Sequence, residues 1–158
     1  MKVNQEAKRE TKKSIILAAS KLFIELGFQK TTMKKIAKMA GIGDATIYNY
    51  FKTKEDIIIG YFEWQTEQTI EEVWSIDDLD EYSIQEKLQV LLDIFLERLS
   101  QDQEFVDFCI QLTFKSPMFL LRDRDPIKKN LQSFIEGFLM SAEDAGEIEK
   151  LPFRGLFP

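Results

Sequence analysis

Histidine is absent from this 158-residue sequence. Its absence excludes Ser-His-Asp catalysis, histidine acid–base chemistry, haem ligation through histidine and histidine-containing zinc sites. The Glu-x-x-His pairs of di-iron helical bundles go with it, and no P-loop or glycine-rich phosphate fingerprint occurs. A lone cysteine, Cys109, can neither close an intramolecular disulfide nor join a cysteine cluster, so no oxidising compartment is implied. No run of residues approaches the roughly 18 apolar positions of a membrane span, and the polar start, MKVNQEAKRE, has no signal-peptide core. These absences lead to the expectation of a soluble cytoplasmic protein that is not an enzyme, with no metal, no cofactor and no membrane partner.

What is present is a core and a charge asymmetry. Apolar residues make up 44% of the chain and aromatics 12%, including 13 Phe. The formal net charge of −6 is uneven. Residues 1–56 hold 12 Lys/Arg against 6 Asp/Glu, whereas residues 57–158 hold 9 against 21. A basic head on an acidic body suits a protein that meets phosphates at one end only. For the acidic part a solvated helical surface is the simpler reading.

Helical spacing dominates. Ile16, Ala19, Leu22, Phe23 and Leu26 share a stripe that Gly27 ends. Met33, Ile36, Ala37 and Ala40 form a second stripe, with Thr32 placed as an N-cap and Gly41 as a left-handed stop. A third short helix is predicted from about Asp44 to Phe51, burying Ile47 and Phe51. Another starts near Thr53 or Lys54 and runs through Ile58, Tyr61 and Phe62 towards Val73, and residues 75–83 read as a loop. Ser83 and Glu86 have capping-box spacing ahead of Ile84, Leu88, Leu91, Leu92, Phe95 and Leu99. Phe105, Phe108, Cys109 and Leu112 make a further stripe, interrupted at Ser116-Pro117. Asp125-Pro126 then opens a helix that ends near Gly146. The fold class is all-α, with about seven helices.

The segment from Thr32 to Phe51 reads as helix, glycine-containing turn, helix, the unit whose second helix enters the DNA major groove. A third helix facing its core with Ile47 and Phe51 turns Ala45, Asn49 and Lys52 outward and leaves Thr46 and Tyr48 on the flanks. Asn pairs bidentately with adenine, Ala touches a thymine methyl and Thr donates or accepts. Tyr48, Lys52 and Lys54 suit phosphates, as does the start of the second helix at Thr32 and Lys34.

The stretch from Ile15 to Ile57 resembles the tetracycline-repressor-like (TetR) transcriptional regulators. The resemblance is carried by Ala18-Ala19, Leu22-Phe23, Gly27-Phe28, Thr31-Thr32, Ile36-Ala37, Ala40-Gly41, Thr46-Ile47-Tyr48, Tyr50-Phe51 and Lys54-Glu55. It implies a helix-turn-helix DNA-binding domain over 1–54 and a helical effector-binding domain over 55–158. It further implies a homodimer on a palindromic double-stranded DNA operator and a small-molecule effector. Carried over by position, Thr32 and Lys34 would meet DNA at the second helix and Tyr48 and Lys54 would hold phosphates. Asp44, Ala45, Thr46, Asn49 and Tyr50 would lie at or beside bases. Gly43 stands where the family often has a capping Ser. Asp44 is therefore expected to take over the cap, the alternative being acceptance from a cytosine amino group. The sequence stops at Pro158, about where the first of two further long dimer-forming helices would begin. The 55–158 domain is thus expected to be incomplete at its C-terminal end, and dimerisation to depend on those helices.

Trp64, Phe95, Phe105, Phe108, Cys109, Phe114, Met118, Phe134 and Phe138 are candidates to line an effector pocket, against the reading that most of them are core. Cys109 reads more simply as a buried inert thiol than as a redox sensor. The function expected from all this is a sequence-specific DNA-binding transcriptional regulator, a repressor released by a small apolar effector. The alternative is a helical protein-interaction module without DNA-binding activity.

Overall fold

In the computed structural model, residues 2–115 and 125–149 are described. They form α1 (Lys2–Leu26), α2 (Met33–Met39), α3 (Lys54–Trp74), α4 (Ile84–Gln101), α5 (Gln103–Lys115) and α6 (Asp125–Asp144). Two short 3₁₀ segments, Thr46–Asn49 and Leu79–Glu81, complete the secondary structure, and no strand occurs among the described residues.

Local chemistry sets the helix ends. Thr32 is extended and its hydroxyl accepts from the Lys35 amide at 3.2 Å, capping α2. At the other end Gly41 takes a φ of +71°. Its amide reaches the Lys38 carbonyl and the Ile42 amide the Ala37 carbonyl, a Schellman motif that a left-handed glycine permits. Ser83 and Glu86 form the reciprocal capping box on α4, at 2.8 and 3.3 Å, and Thr53 with Asp56 does the same for α3.

The chain divides into two compact units. One comprises Met1–Gln65 with Leu99–Arg124, the other Thr66–Arg98 with Asp125–Pro158. In the first, α1 contributes Ile15, Ile16, Ala19, Leu22 and Phe23 to a buried core. Ile36 and Ala37 of α2, Ile47, Phe51, Ile57, Ile58, Tyr61, Phe105 and Cys109 complete it. Leu26, placed on the buried stripe by spacing, is 40% exposed in the last turn of its helix. Tyr61 donates to the Asp102 carboxylate at 3.0 Å, and the Gln65 amide donates to both at 3.1 and 3.2 Å. Burial pushes the Tyr61 phenol well above its ordinary pKa, so it stays a donor.

The second unit packs Val73, Leu79, Phe134 and Phe138 together. Glu147, just past α6, accepts from the Ile84 amide at 2.9 Å and so helps to cap α4. Leu79 anchors the 75–83 loop through the 3₁₀ turn that contains it. On α4 the apolar positions are wider than one packed face: Ile84, Leu91, Phe95 and Leu99 are half-buried, but Leu88 and Leu92 are exposed. Apolar spacing predicts an amphipathic helix without saying how much of the stripe a neighbour covers.

Candidate functional site

The segment after α2 differs from the helix predicted over Asp44 to Phe51. Its regular part is a 3₁₀ turn of four residues, Thr46–Asn49. The Thr46 amide donates to the Gly43 carbonyl and the Tyr50 amide to the Ile47 carbonyl, at 2.9 and 3.0 Å. Thr46, Ile47, Tyr48, Asn49 and Tyr50 all rank low in helix propensity, and no side chain caps the segment at Ala45. One turn with neither propensity nor a cap cannot meet the cost of α-helical nucleation alone. The expected Asp44 cap is absent. Instead the Asp44 carboxylate lies 3.4 Å from the Lys34 ammonium.

Despite the tighter winding, the segment is anchored on the expected residues. Ile47 is fully buried, and Phe51 is held in the same core. Thr32, Lys34, Asp44, Ala45, Thr46, Tyr48 and Asn49 are exposed, whereas Tyr50 is half-buried against the core. In a 3₁₀ turn residues three apart line up, so Thr46 and Asn49 share one outward line while Ile47 and Tyr50 share the inward one. Six lysines and one acid, Asp44, fall between residues 30 and 54, and Lys30, Lys34, Lys35, Lys38 and Lys52 are exposed.

Lys54 is placed differently from the rest. Its ammonium donates to the Phe28 carbonyl and lies 4.2 Å from the centre of the Phe28 ring, tying the start of α3 to the α1–α2 turn. Burial there lowers its pKa, an effect that Glu55 opposes. Thr31 braces the same turn, its hydroxyl lying 3.0 Å from the Leu22 and Gly27 carbonyls.

In the second unit, Thr66, Thr69, Leu91, Leu92, Phe95 and Ile135 line an almost wholly apolar cavity of about 190 Å³. Of the nine predicted effector residues, Phe95 is among its walls. Phe105 and Cys109 are buried in the first unit's core, where Phe108 stacks on Phe23 at 5.7 Å. Trp64 lies half-buried on that core under the Lys13 ammonium. Phe134 and Phe138 pack on each other and on Trp74. Phe114 is 82% exposed, and Met118 lies outside the described residues. Sequence reasoning missed Thr66, Thr69, Leu91, Leu92 and Ile135 as cavity walls. Leu91 and Leu92 stood on a recognised stripe, but no local signal marks small Thr side chains as facing a void. Among the described residues no group of His, Cys, Asp and Glu is placed to hold a metal, and no helix is long and apolar enough to cross a membrane.

A capped helix, a left-handed glycine turn and a core-anchored second turn under an exposed lysine-rich face form a head of the helix-turn-helix class, the kind that binds DNA. Residues 15–60 match the model of the bacterial regulatory proteins of the tetR family. The chain is 33% identical over 144 residues to the fatty acid metabolism regulator protein of Bacillus subtilis, covering 90% of this chain and 73% of that one. The solved structure of FadR from Bacillus subtilis in complex with stearoyl-CoA aligns with a TM-score of 0.58 and 32% identity, over 89% of this chain and 76% of that one. The fatty acid degradation regulator FadR from Bacillus halodurans aligns with a TM-score of 0.61 and 26% identity, over 91% and 75%. The chain belongs to the TetR family of bacterial regulators.

Proposed function

We propose that this chain represses transcription by binding a palindromic operator as a homodimer, through the face formed by Thr32, Lys34, Ala45, Thr46, Tyr48 and Asn49. DNA recognition is assigned to residues 1–54 and effector binding to 55–158, with no catalysed reaction. A cytoplasmic location follows from a DNA partner. One observation carries this reading: Ile47 is fully buried while Tyr48, its neighbour, is 53% exposed, so the turn is anchored from beneath and free above. Thr46 and Asn49 read base edges, and Tyr48 and Lys34 meet phosphates. Lys54, already engaged on Phe28, positions the head. Two heads must stand about 34–36 Å apart, one turn of DNA, to read both half-sites.

The test is selection from a random duplex library at two salt concentrations. An enriched palindrome whose affinity falls with salt is expected. Failure to enrich any sequence, with binding insensitive to salt, would overturn the reading.

For the effector, the apolar cavity of the second unit favours an acyl chain, the kind of group present in the stearoyl-CoA complex of FadR. A long-chain acyl-CoA should release the selected duplex where free coenzyme A does not. Leu91→Asp, which places a charge in the cavity wall, should keep DNA binding and lose release. Equal release of both proteins would exclude the cavity as the effector site.

A further inference from the structure

We infer that Asp44 is an electrostatic counterweight to Lys34, a positioning residue that limits how tightly the head grips any DNA; the inference rests on the DNA-binding face proposed above. Lys34 stands in the first turn of α2 and Asp44 in the turn that leads to Thr46–Asn49, their charged groups 3.4 Å apart. The side chains are 81% and 56% exposed, so the pair is solvated, weak and readily exchanged. Asp44 performs no capping duty that would explain an acid here, because the Thr46 amide is taken by the Gly43 carbonyl and Ala45 has no side-chain cap. It is also the one acid among the six lysines between residues 30 and 54.

A phosphate that approaches Lys34 must displace the Asp44 carboxylate and leave it facing a polyanion. The displaced carboxylate then holds a cation of its own, which cancels part of the counterion release that drives binding. Because this penalty comes from the backbone, it is the same for every base sequence.

The experiment measures affinity over a salt series for the wild-type chain, Asp44→Asn, Lys34→Gln and the double variant, on a library-selected duplex and a scrambled duplex of equal length. Asp44→Asn should tighten both duplexes by a similar factor, roughly fivefold at low salt. It should also steepen the slope of log K against log salt by about 0.9. In the Lys34→Gln background the gain should fall by at least half, and Asp44→Ser should reproduce the behaviour of Asp44→Asn. Three results overturn the inference: unchanged affinity and slope, an undiminished gain without Lys34, or weaker binding confined to the selected duplex with lost preference at one base. The last would make Asp44 a reader of cytosine. If the wild-type chain binds neither duplex, the DNA-binding face itself is wrong and this inference falls with it.

Discussion

Cys109 shows how burial decides the chemistry of a single group. Enclosed in the core of the first unit, its thiol is pushed up to about 12 by loss of solvent. At pH 8 a thiol reagent should label the native protein on the order of a thousandfold more slowly than the unfolded chain. Rapid native labelling would show that this part of the core opens. Lys54 teaches the complementary lesson, since its partly buried ammonium is held between a carbonyl and a ring. Lys54→Met should cost about 1–2 kcal/mol of stability and weaken DNA binding together. Lys52→Met, at an exposed neighbour, should weaken binding with an unchanged melting temperature. Equal melting of both variants and the wild type would remove the anchoring role of Lys54.

At the scale of elements, Gly60 on α3 matters because Phe51 lies against it. A Cβ at position 60 would sit 2.4 Å from the Phe51 ring, which is 4% exposed and has little room to move. Gly60→Ala should destabilise by about 1–3 kcal/mol, measured by denaturant unfolding. It should also weaken operator binding, since Phe51 closes the turn that carries Thr46 and Asn49. Retained stability would mean the ring has an alternative seat. The α4 cap has a pH signature. Hydrogen bonds from the Ser83 hydroxyl and amide hold the Glu86 carboxyl below its ordinary value of 4.5. A carboxylate with a depressed folded pKa contributes fully above the unfolded value and loses its contribution as pH falls through the folded one. Glu86→Ala should therefore melt lower than the wild type at pH 7, with the gap closing as the pH falls below 4.5. A gap independent of pH would assign the effect to helix propensity instead.

For the whole molecule, the proposed regulation is a coupling between DNA and effector, and coupling is reciprocal. If an acyl-CoA lowers operator affinity by some factor, the operator must lower acyl-CoA affinity by the same factor. Titrating each ligand in the presence and absence of the other tests this. Unequal factors would show that a process besides one linked equilibrium, such as a change of oligomeric state, contributes.

Much of this organisation was legible in the residues themselves because it is local. Thr32, Gly41, the Ser83–Glu86 pair and Gly146 mark helix ends through hydrogen bonds that reach no more than five residues along the chain. Ile47 and Phe51 were recognisable as anchors because their partners in the repeating pattern are equally near. The family was recognisable for the same reason, since its signature is this local pattern. What the tertiary structure decided depends on residues far apart in sequence. Competition between weak propensity and core anchoring wound residues 46–49 as a 3₁₀ turn. Lys54 found Phe28, 26 residues away, and Asp44 found Lys34 instead of the amide of its own turn. Phe23, Phe51 and Phe105 entered one core, Phe134 and Phe138 another and Phe95 a cavity wall, while Phe114 stayed exposed, according to which helices met. Apolar character drives burial, but it is non-directional. The amino-acid order therefore favoured burial of these rings, and only the packing of helices determined which of them were covered and by what.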